Sequence, residues 1–372
     1  MRQADNMWID DIWKKISDKL LRVAISRKGT LPYTTREGKA YDDMFADNVN
    51  WWTNGFWPGM MWLMYDSTKN EAYKKTAENA EMLLDGAFKN YDELHHDVGF
   101  MWHISAGADY RLTGSKEAYV RNMYAANILA SRFNLKGGYI RAWNGDAASG
   151  YAIIDCLMNL PLLYWASNVS GDERFKHIAM QHADKTLKYH VREDGSVYHI
   201  VNYDPQTGNV VDFKGGQGYN ENSSWSRGQS WGLYGFVLSY IHTKEERYLN
   251  AAKRIANYFI AACCDDYLPK CDFRSPKEPV LYDSSAGLIA ACGLIELSRI
   301  LDENERIMYF NAACNFIKAI VERFADWSDD SDAIITHCSE NYKAQKHLTL
   351  IYADFFLVEA INKLRGINTF LW

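Results

Sequence analysis

Residues 56–84 read Phe56-Trp-Pro-Gly-Met-Met-Trp-Leu-Met-Tyr65, then Asp-Ser-Thr-Lys-Asn70, then Glu-Ala-Tyr73-Lys-Lys-Thr-Ala77-Glu-Asn-Ala80-Glu-Met-Leu-Leu84. The first part is apolar throughout, so a helix there must be buried on every side. The middle is a polar turn. In the last part Tyr73, Ala77, Ala80 and Leu84 share one face, with Lys, Glu and Asn between them, the pattern of a one-sided helix.

The unit recurs along the chain. Apolar segments fall at 56–65, 99–110, 153–166, 231–241, 286–297 and 350–361. One-sided helices follow the first five: after Tyr73 come Tyr119-Met123-Ala126-Ala130, Phe175-Ala179-Ala183-Leu187, Tyr248-Ala252-Ala256-Phe259 and Tyr309-Ala313-Ile317. A repeat of roughly 60 residues fits an array of helix pairs, each needing its neighbours to cover its inner face. Six inner segments and five outer helices leave one partner missing. The amphipathic stretch from Trp8 to about Val23 (Ile9, Ile12, Trp13, Ile16, Leu20) supplies it and closes a ring. The expected fold is all-α, a toroid of inner and outer helices, with 1–372 as a single domain. Only 195–203 and 208–213 suggest a short hairpin.

Composition narrows the function. The formal charge is −6 and no basic run is present, which argues against nucleic acid as a partner. The longest apolar segment, 153–166, is too short to span a membrane and contains Asp155 and Pro161. Seven cysteines, an odd number without zinc-ligand spacing, read as reduced thiols, and with no signal-like apolar run at the N-terminus the expected location is cytoplasmic. Thirteen tryptophans exceed what packing alone usually uses and suit a site for sugar rings.

The chemistry-bearing residues crowd the starts of the inner segments. Asp155 stands in an otherwise apolar run, where an unpaired carboxylate is costly unless neutral, paired or facing a pocket. Burial raises a carboxyl pKa, as a general acid at neutral pH requires, although a structural Asp bonded to a neighbouring helix is the plain alternative. His95-His96-Asp97 precedes the second inner segment; Asp97 reads as a second carboxylate or a helix cap, and the trio lacks a firm metal-ligand pattern. Trp225-Ser-Arg227-Gly-Gln-Ser-Trp231 opens the fourth, with His199 and Gln217 upstream. Arg227 there suits a carboxylate ligand or pairs with an acidic core residue. Trp51-Trp52-Thr-Asn-Gly55 opens the first, Arg141-Ala-Trp143-Asn144 precedes the third, and Asp283-Ser-Ser285 reads as a helix cap at the fifth.

Taken in order, Trp52-Thr-Asn-Gly-Phe-Trp57, His95-His-Asp-Val-Gly-Phe100, Ala142-Trp143, Ile153-Ile-Asp-Cys-Leu157, Tyr198-His199 and Trp225-Ser-Arg-Gly-Gln-Ser-Trp231 make the chain resemble the unsaturated glucuronyl hydrolases, glycoside hydrolase family 88. The resemblance runs from about Trp51 to Glu359. It implies an (α/α)6 barrel and an enzyme needing no metal or organic cofactor. That enzyme takes the unsaturated uronic acid from the end of a small anionic oligosaccharide left by a polysaccharide lyase, by hydrating its C4=C5 bond. It implies Asp155 as general acid/base, Asp97 as the second essential carboxylate, and Trp52, His96, Trp143, His199, Gln217, Trp225, Arg227 and Trp231 around the substrate. Tyr352-Ala-Asp354 stands where members carry Trp-Gly-Asp. In the loop 337–346, Ser339 and Lys343 are the candidates for the Ser/Lys pattern that some members use for sulfated sugars. An unsaturated rhamnogalacturonyl hydrolase (family 105) and a non-catalytic sugar-binding toroid are the rival readings. A monomer is expected.

Overall fold

The first three inner helices hand over to their outer partners through the same local device. The computed structural model describes residues 3–343, 346–367 and 370–372, and side chains from Asn6 onward. Helix α2 (Phe56–Thr68) ends on Lys69 in the left-handed conformation, and the Asn70 side chain then accepts from Ala72 N–H at the start of α3 (Glu71–Leu84). Gly114 and Ser115 do the same between α4 (Ala106–Thr113) and α5 (Lys116–Ser131), and Gly171 and Asp172 between α6 (Leu160–Ser170) and α7 (Glu173–Tyr189). A left-handed residue stops one helix and satisfies its last carbonyls; a polar side chain caps the next. The polar turns in the sequence are therefore sharp reversals between antiparallel helices.

The remaining helices are α8 (Ser226–Thr243), α9 (Glu246–Cys263), α10 (Ser284–Ile300), α11 (Glu303–Phe324) and α12 (Ile351–Leu364), after the N-terminal α1 (Gln3–Ser26). The even-numbered helices form the inner ring. They pack in sequence order, and α12 returns against α2 to close it. Every residue of α10 from Ser284 to Ser298 is buried, as an all-round apolar helix requires. The odd-numbered helices lie outside, and α1 packs on α3 and α12 as the missing sixth outer partner. The expected (α/α)6 barrel is the observed architecture.

Two inner segments depart from plain helix. The segment 99–110 begins as a π turn (Gly99–His103) before α4, and 151–170 splits into strand β3 (Tyr151–Ile153), a 3-10 turn (Ile154–Met158) and α6. Strand β3 joins the expected hairpin, β4 (Ile200–Tyr203) and β5 (Val210–Lys214), in an antiparallel sheet ordered β3-β4-β5. A two-residue pair, β1 (Phe133–Asn134) and β2 (Tyr139–Ile140), stands beside it.

All six inner helices start at one end of the ring. The opposite end is filled by Trp372, 1 % exposed, whose ring lies parallel to Phe356 at 6.0 Å. Its Nε1 donates to Glu359 Oε1 at 3.1 Å, within a buried polar knot of Tyr234, Glu359, Lys363 and Glu296. Among the described residues no helix is long and apolar enough to cross a membrane.

Candidate active site

Strand pairing, not a helix face, sets the geometry around Asp155. The chain leaves β3 at Ile153, paired with Ile200 of β4, and Ile154 N–H donates to His199 O at 3.0 Å. Asp155 follows on the 3-10 turn, so the expectation that it lies within an inner helix is corrected: it stands at a strand-to-helix junction beside His199. His199 Nδ1 accepts from Gln217 N–H at 3.0 Å. The ring hydrogen of the neutral imidazole therefore sits on Nε2, a tautomer assigned from this bond. That Nε2 faces Asp155 Oδ1 at 3.8 Å. Burial holds His199 neutral, pushing its pKa down to about 3.

Asp155 is 16 % exposed through its side chain, and its Oδ1 makes no protein hydrogen bond. Burial, and then the charge of Asp97, push its carboxyl up to about 8, with Arg227 working in the opposite direction. Asp97 goes the other way. Burial acts to raise it, but His96, His95 and the Asn159 amide outweigh that and hold it below the ordinary carboxylate range. Two nearby carboxyls with pKa values driven apart are the mark of an acid and its ionised partner.

The residue that joins them was not singled out from the sequence. Asn159, fully buried, accepts from Phe100 N–H at 2.8 Å through Oδ1. Its Nδ2 reaches Asp97 Oδ1 at 3.3 Å and Asp155 O at 3.4 Å. One amide thus ties both acid-bearing segments. A Cβ at Gly99 would come within 2.5 Å of Asn159 Oδ1, so this approach needs glycine. The only sequence signal was an Asn in an apolar stretch, where a buried amide must find partners.

The other expected residues divide. Trp52 is half-buried, packed on Phe100 and Tyr352. Trp225, expected around the substrate, is instead buried, its ring centre 4.5 Å from that of His199 and under the Arg227 guanidinium. Gln217 Nε2 donates to Glu340 O at 2.7 Å, and Trp143, 36 % exposed, sits on the rim beside Tyr151. His96 is buried, its Nε2 3.4 Å from Asp97 Oδ2. Trp231 differs from expectation: it is fully buried between Phe100 and Phe356 and forms core beneath the site.

Arg227 takes the core-pair alternative. Its Nη1 bonds Asp283 Oδ2 at 2.8 Å and Ser339 O at 2.6 Å, and Nη2 bonds Glu340 O at 2.7 Å. Asp283, expected as a helix cap, makes no side-chain cap bond to its helix and is the partner of this buried pair. The Ser339 hydroxyl is likewise committed, donating to Tyr282 O at 2.7 Å; it holds the loop rather than facing a ligand. Lys343 is exposed on the same loop, of which positions 344 and 345 lie outside the described residues. Tyr352 is buried, and Asp354 accepts from Tyr41 Oη and the Ile334 and Ile335 amides, a structural carboxylate.

The family model described as Glycosyl Hydrolase Family 88 matches residues 28–266. The chain belongs to glycosyl hydrolase family 88. As a family 88 member it is a glycoside hydrolase. It is 37 % identical to the unsaturated glucuronyl hydrolase of Bacillus sp. (strain GL1) over 91 % of this chain and 96 % of that one. It is 35 % identical to the unsaturated chondroitin disaccharide hydrolase of Streptococcus pneumoniae (strain ATCC BAA-255 / R6), over 86 % of this chain and 84 % of the other. The crystal structure of the Bacillus sp. GL1 unsaturated glucuronyl hydrolase, described as responsible for the degradation of glycosaminoglycan, superposes with a TM-score of 0.90 at 33 % identity. That match covers 96 % of this chain and 98 % of the other.

Proposed function

We propose that this family 88 enzyme removes the 4,5-unsaturated uronic acid from the non-reducing end of glycosaminoglycan-type oligosaccharides produced by lyases. The observation that supports this most directly is that one amide, Asn159, bonds both the Asp97 carboxylate and the Asp155 backbone carbonyl, setting a buried Asp155 whose pKa is raised beside an Asp97 whose pKa is lowered.

The C4=C5 bond of such a sugar is an enol ether conjugated to a carboxylate. Asp155 gives its proton to C4, and positive charge develops at C5 and the ring oxygen. Water adds to C5 and returns a proton to the Asp155 carboxylate. The resulting hemiketal opens by breaking the C5–O bond; the hemiacetal this leaves at C1 collapses to an aldehyde and releases the neighbouring sugar. Ordinary glycosidases instead attack C1 with two carboxylates at set separations.

Each neighbour has a share in this reading. Asp97 holds ring hydroxyls and favours the developing charge. Neutral His199 presents Nε2–H toward the reacting acid. The starts of the inner helices give the mouth a positive potential that suits the uronate carboxylate. Arg227 adds its charge from behind and fixes the loop 337–343 rather than reaching the ligand. Trp52 and Trp143 supply ring faces for the sugars, while buried Trp225 backs His199 and Arg227. The reading extends to one catalytic domain working as a monomer in the cytoplasm, a compartment that suits buried, reduced thiols such as Cys156 and Cys292.

The test is to mix the protein with lyase-generated unsaturated disaccharides and follow the ultraviolet absorbance of the conjugated bond. Loss of the signal, with saturated disaccharides untouched, is the expected result. Binding without loss of absorbance is the outcome that removes the hydrolase reading.

A further inference from the structure

At the mouth of the ring, two imidazoles converge on one carboxylate oxygen. His95 Nδ1 and His96 Nε2 lie 3.2 and 3.4 Å from the same oxygen, Asp97 Oδ2. The three ligand atoms all fall within 4.8 Å of one another. The backbone fixes the trio from both sides: His96 N–H donates to Ala142 O at 3.2 Å, and the Asn159 amide holds the other oxygen of Asp97.

The His95 contact is not a well-aligned hydrogen bond. His95 Nδ1 is buried and close to the carboxylate yet has no aligned hydrogen-bond partner. A ring nitrogen that is buried beside a carboxylate without an aligned bond has its lone pair left for a third atom. The spacing fits such an atom. Zinc bonds to nitrogen and oxygen are about 2.0–2.1 Å, which puts neighbouring ligands of a tetrahedral ion about 3.3–3.4 Å apart. The two nitrogen-to-oxygen edges here have that length. The remaining edge closes by rotation of His95, the more exposed of the two rings.

Two imidazoles and one carboxylate select borderline divalent ions over magnesium or calcium, which take all-oxygen shells. We propose that His95, His96 and Asp97 form a binding site for one divalent transition-metal ion, Zn2+ in the first instance. The fourth position opens toward the substrate. An ion there is no cofactor: it occupies the carboxylate that the preceding section assigns to substrate, so it inhibits by competition. The inhibitory half rests on that assignment; the binding half does not.

The experiment separates the two. Metal-free protein is prepared in a Cys264→Ser background, because Cys264 is the exposed thiol among the described cysteines. Calorimetric titration with Zn2+ is expected to give one site per chain, and Co2+ to give visible d–d absorption without an intense thiolate band. His95→Ala and Asp97→Asn are each expected to weaken binding by roughly tenfold or more. Inhibition of the parent by Zn2+ is expected to be competitive with unsaturated disaccharide and reversed by chelator. Each variant that retains turnover is compared with its own metal-free rate. Absence of a stoichiometric site, or a site untouched by both substitutions, overturns the proposal. Zinc held by these ligands with turnover unaffected overturns the inhibitory half and, with it, the role given to Asp97.

Discussion

His199 Nε2 faces Asp155 Oδ1 at 3.8 Å, with its hydrogen fixed on that nitrogen because the Gln217 amide occupies Nδ1. The acid is thus met by a neutral donor rather than a cation, which leaves its raised pKa intact. Asp155→Asn should fold, bind substrate and lose turnover by roughly 10²–10⁴-fold, the usual share of a general acid. Rate and affinity measured on one unsaturated disaccharide check this, and near-normal turnover removes Asp155 from the role.

The same substitution should raise stability at neutral pH. The folded carboxyl titrates at about 8 against an ordinary value of 3.8. Between those values the folded chain keeps a proton that the unfolded chain has released, so the parent loses stability as pH rises through this window. Asparagine removes that loss, and the variant should gain on the order of a few kcal/mol at pH 8 and nothing below about pH 4. Thermal melts at the two pH values decide it.

The rate should depend on pH through both acids. Turnover needs Asp155 protonated and Asp97 ionised, so kcat/KM should fall on the alkaline side near pH 8 and on the acid side only below the ordinary range of Asp. In Asp97→Asn the nearby negative charge is gone, and the Asp155 carboxyl should titrate lower. Carbon NMR of that carboxyl reads the shift directly.

Asn159→Ala removes the shared amide and leaves Phe100 N–H buried without its acceptor. A stability loss of about 1–3 kcal/mol is expected. The sharper expectation is kinetic: kcat should drop more than KM rises, because the Asp97 carboxylate and the turn that carries Asp155 lose their shared tie. A purely structural Asn would leave the pH profile unchanged; a positioning one shifts its alkaline limb.

Gly216→Ala tests the support behind His199. A methyl there would come within 2.0 Å of His199 Nδ1, at a residue with φ of +55°. The imidazole must move, and activity should fall at least tenfold at substrate saturation, while substitution of the exposed Val211 nearby leaves it unchanged.

Most of the architecture was legible in residues such as Tyr73-Ala77-Ala80-Leu84, because a 3.6-residue period leaves a plain trace. The strand at 151–153 was not. Ile153 and Ile154 sit in a short apolar run that periodicity cannot divide between strand and helix. The error mattered, since strand pairing is what sets His199 beside Asp155. Arg227 was read as a ligand clamp or a core pair; the partner that decided between them, Asp283, lies 56 positions away, and no local pattern links the two. Asn159 escaped for a similar reason: its three partners span 59, 62 and 4 positions.

Trp372 closes the far end of the ring with an indole stacked on Phe356 and tethered to Glu359. The cup is therefore a cul-de-sac. A polymer cannot thread through it, and whatever sugar is set free must back out by the way it came in. A longer lyase product consequently gives up only its single unsaturated end unit, with the rest of the molecule left trailing in solvent.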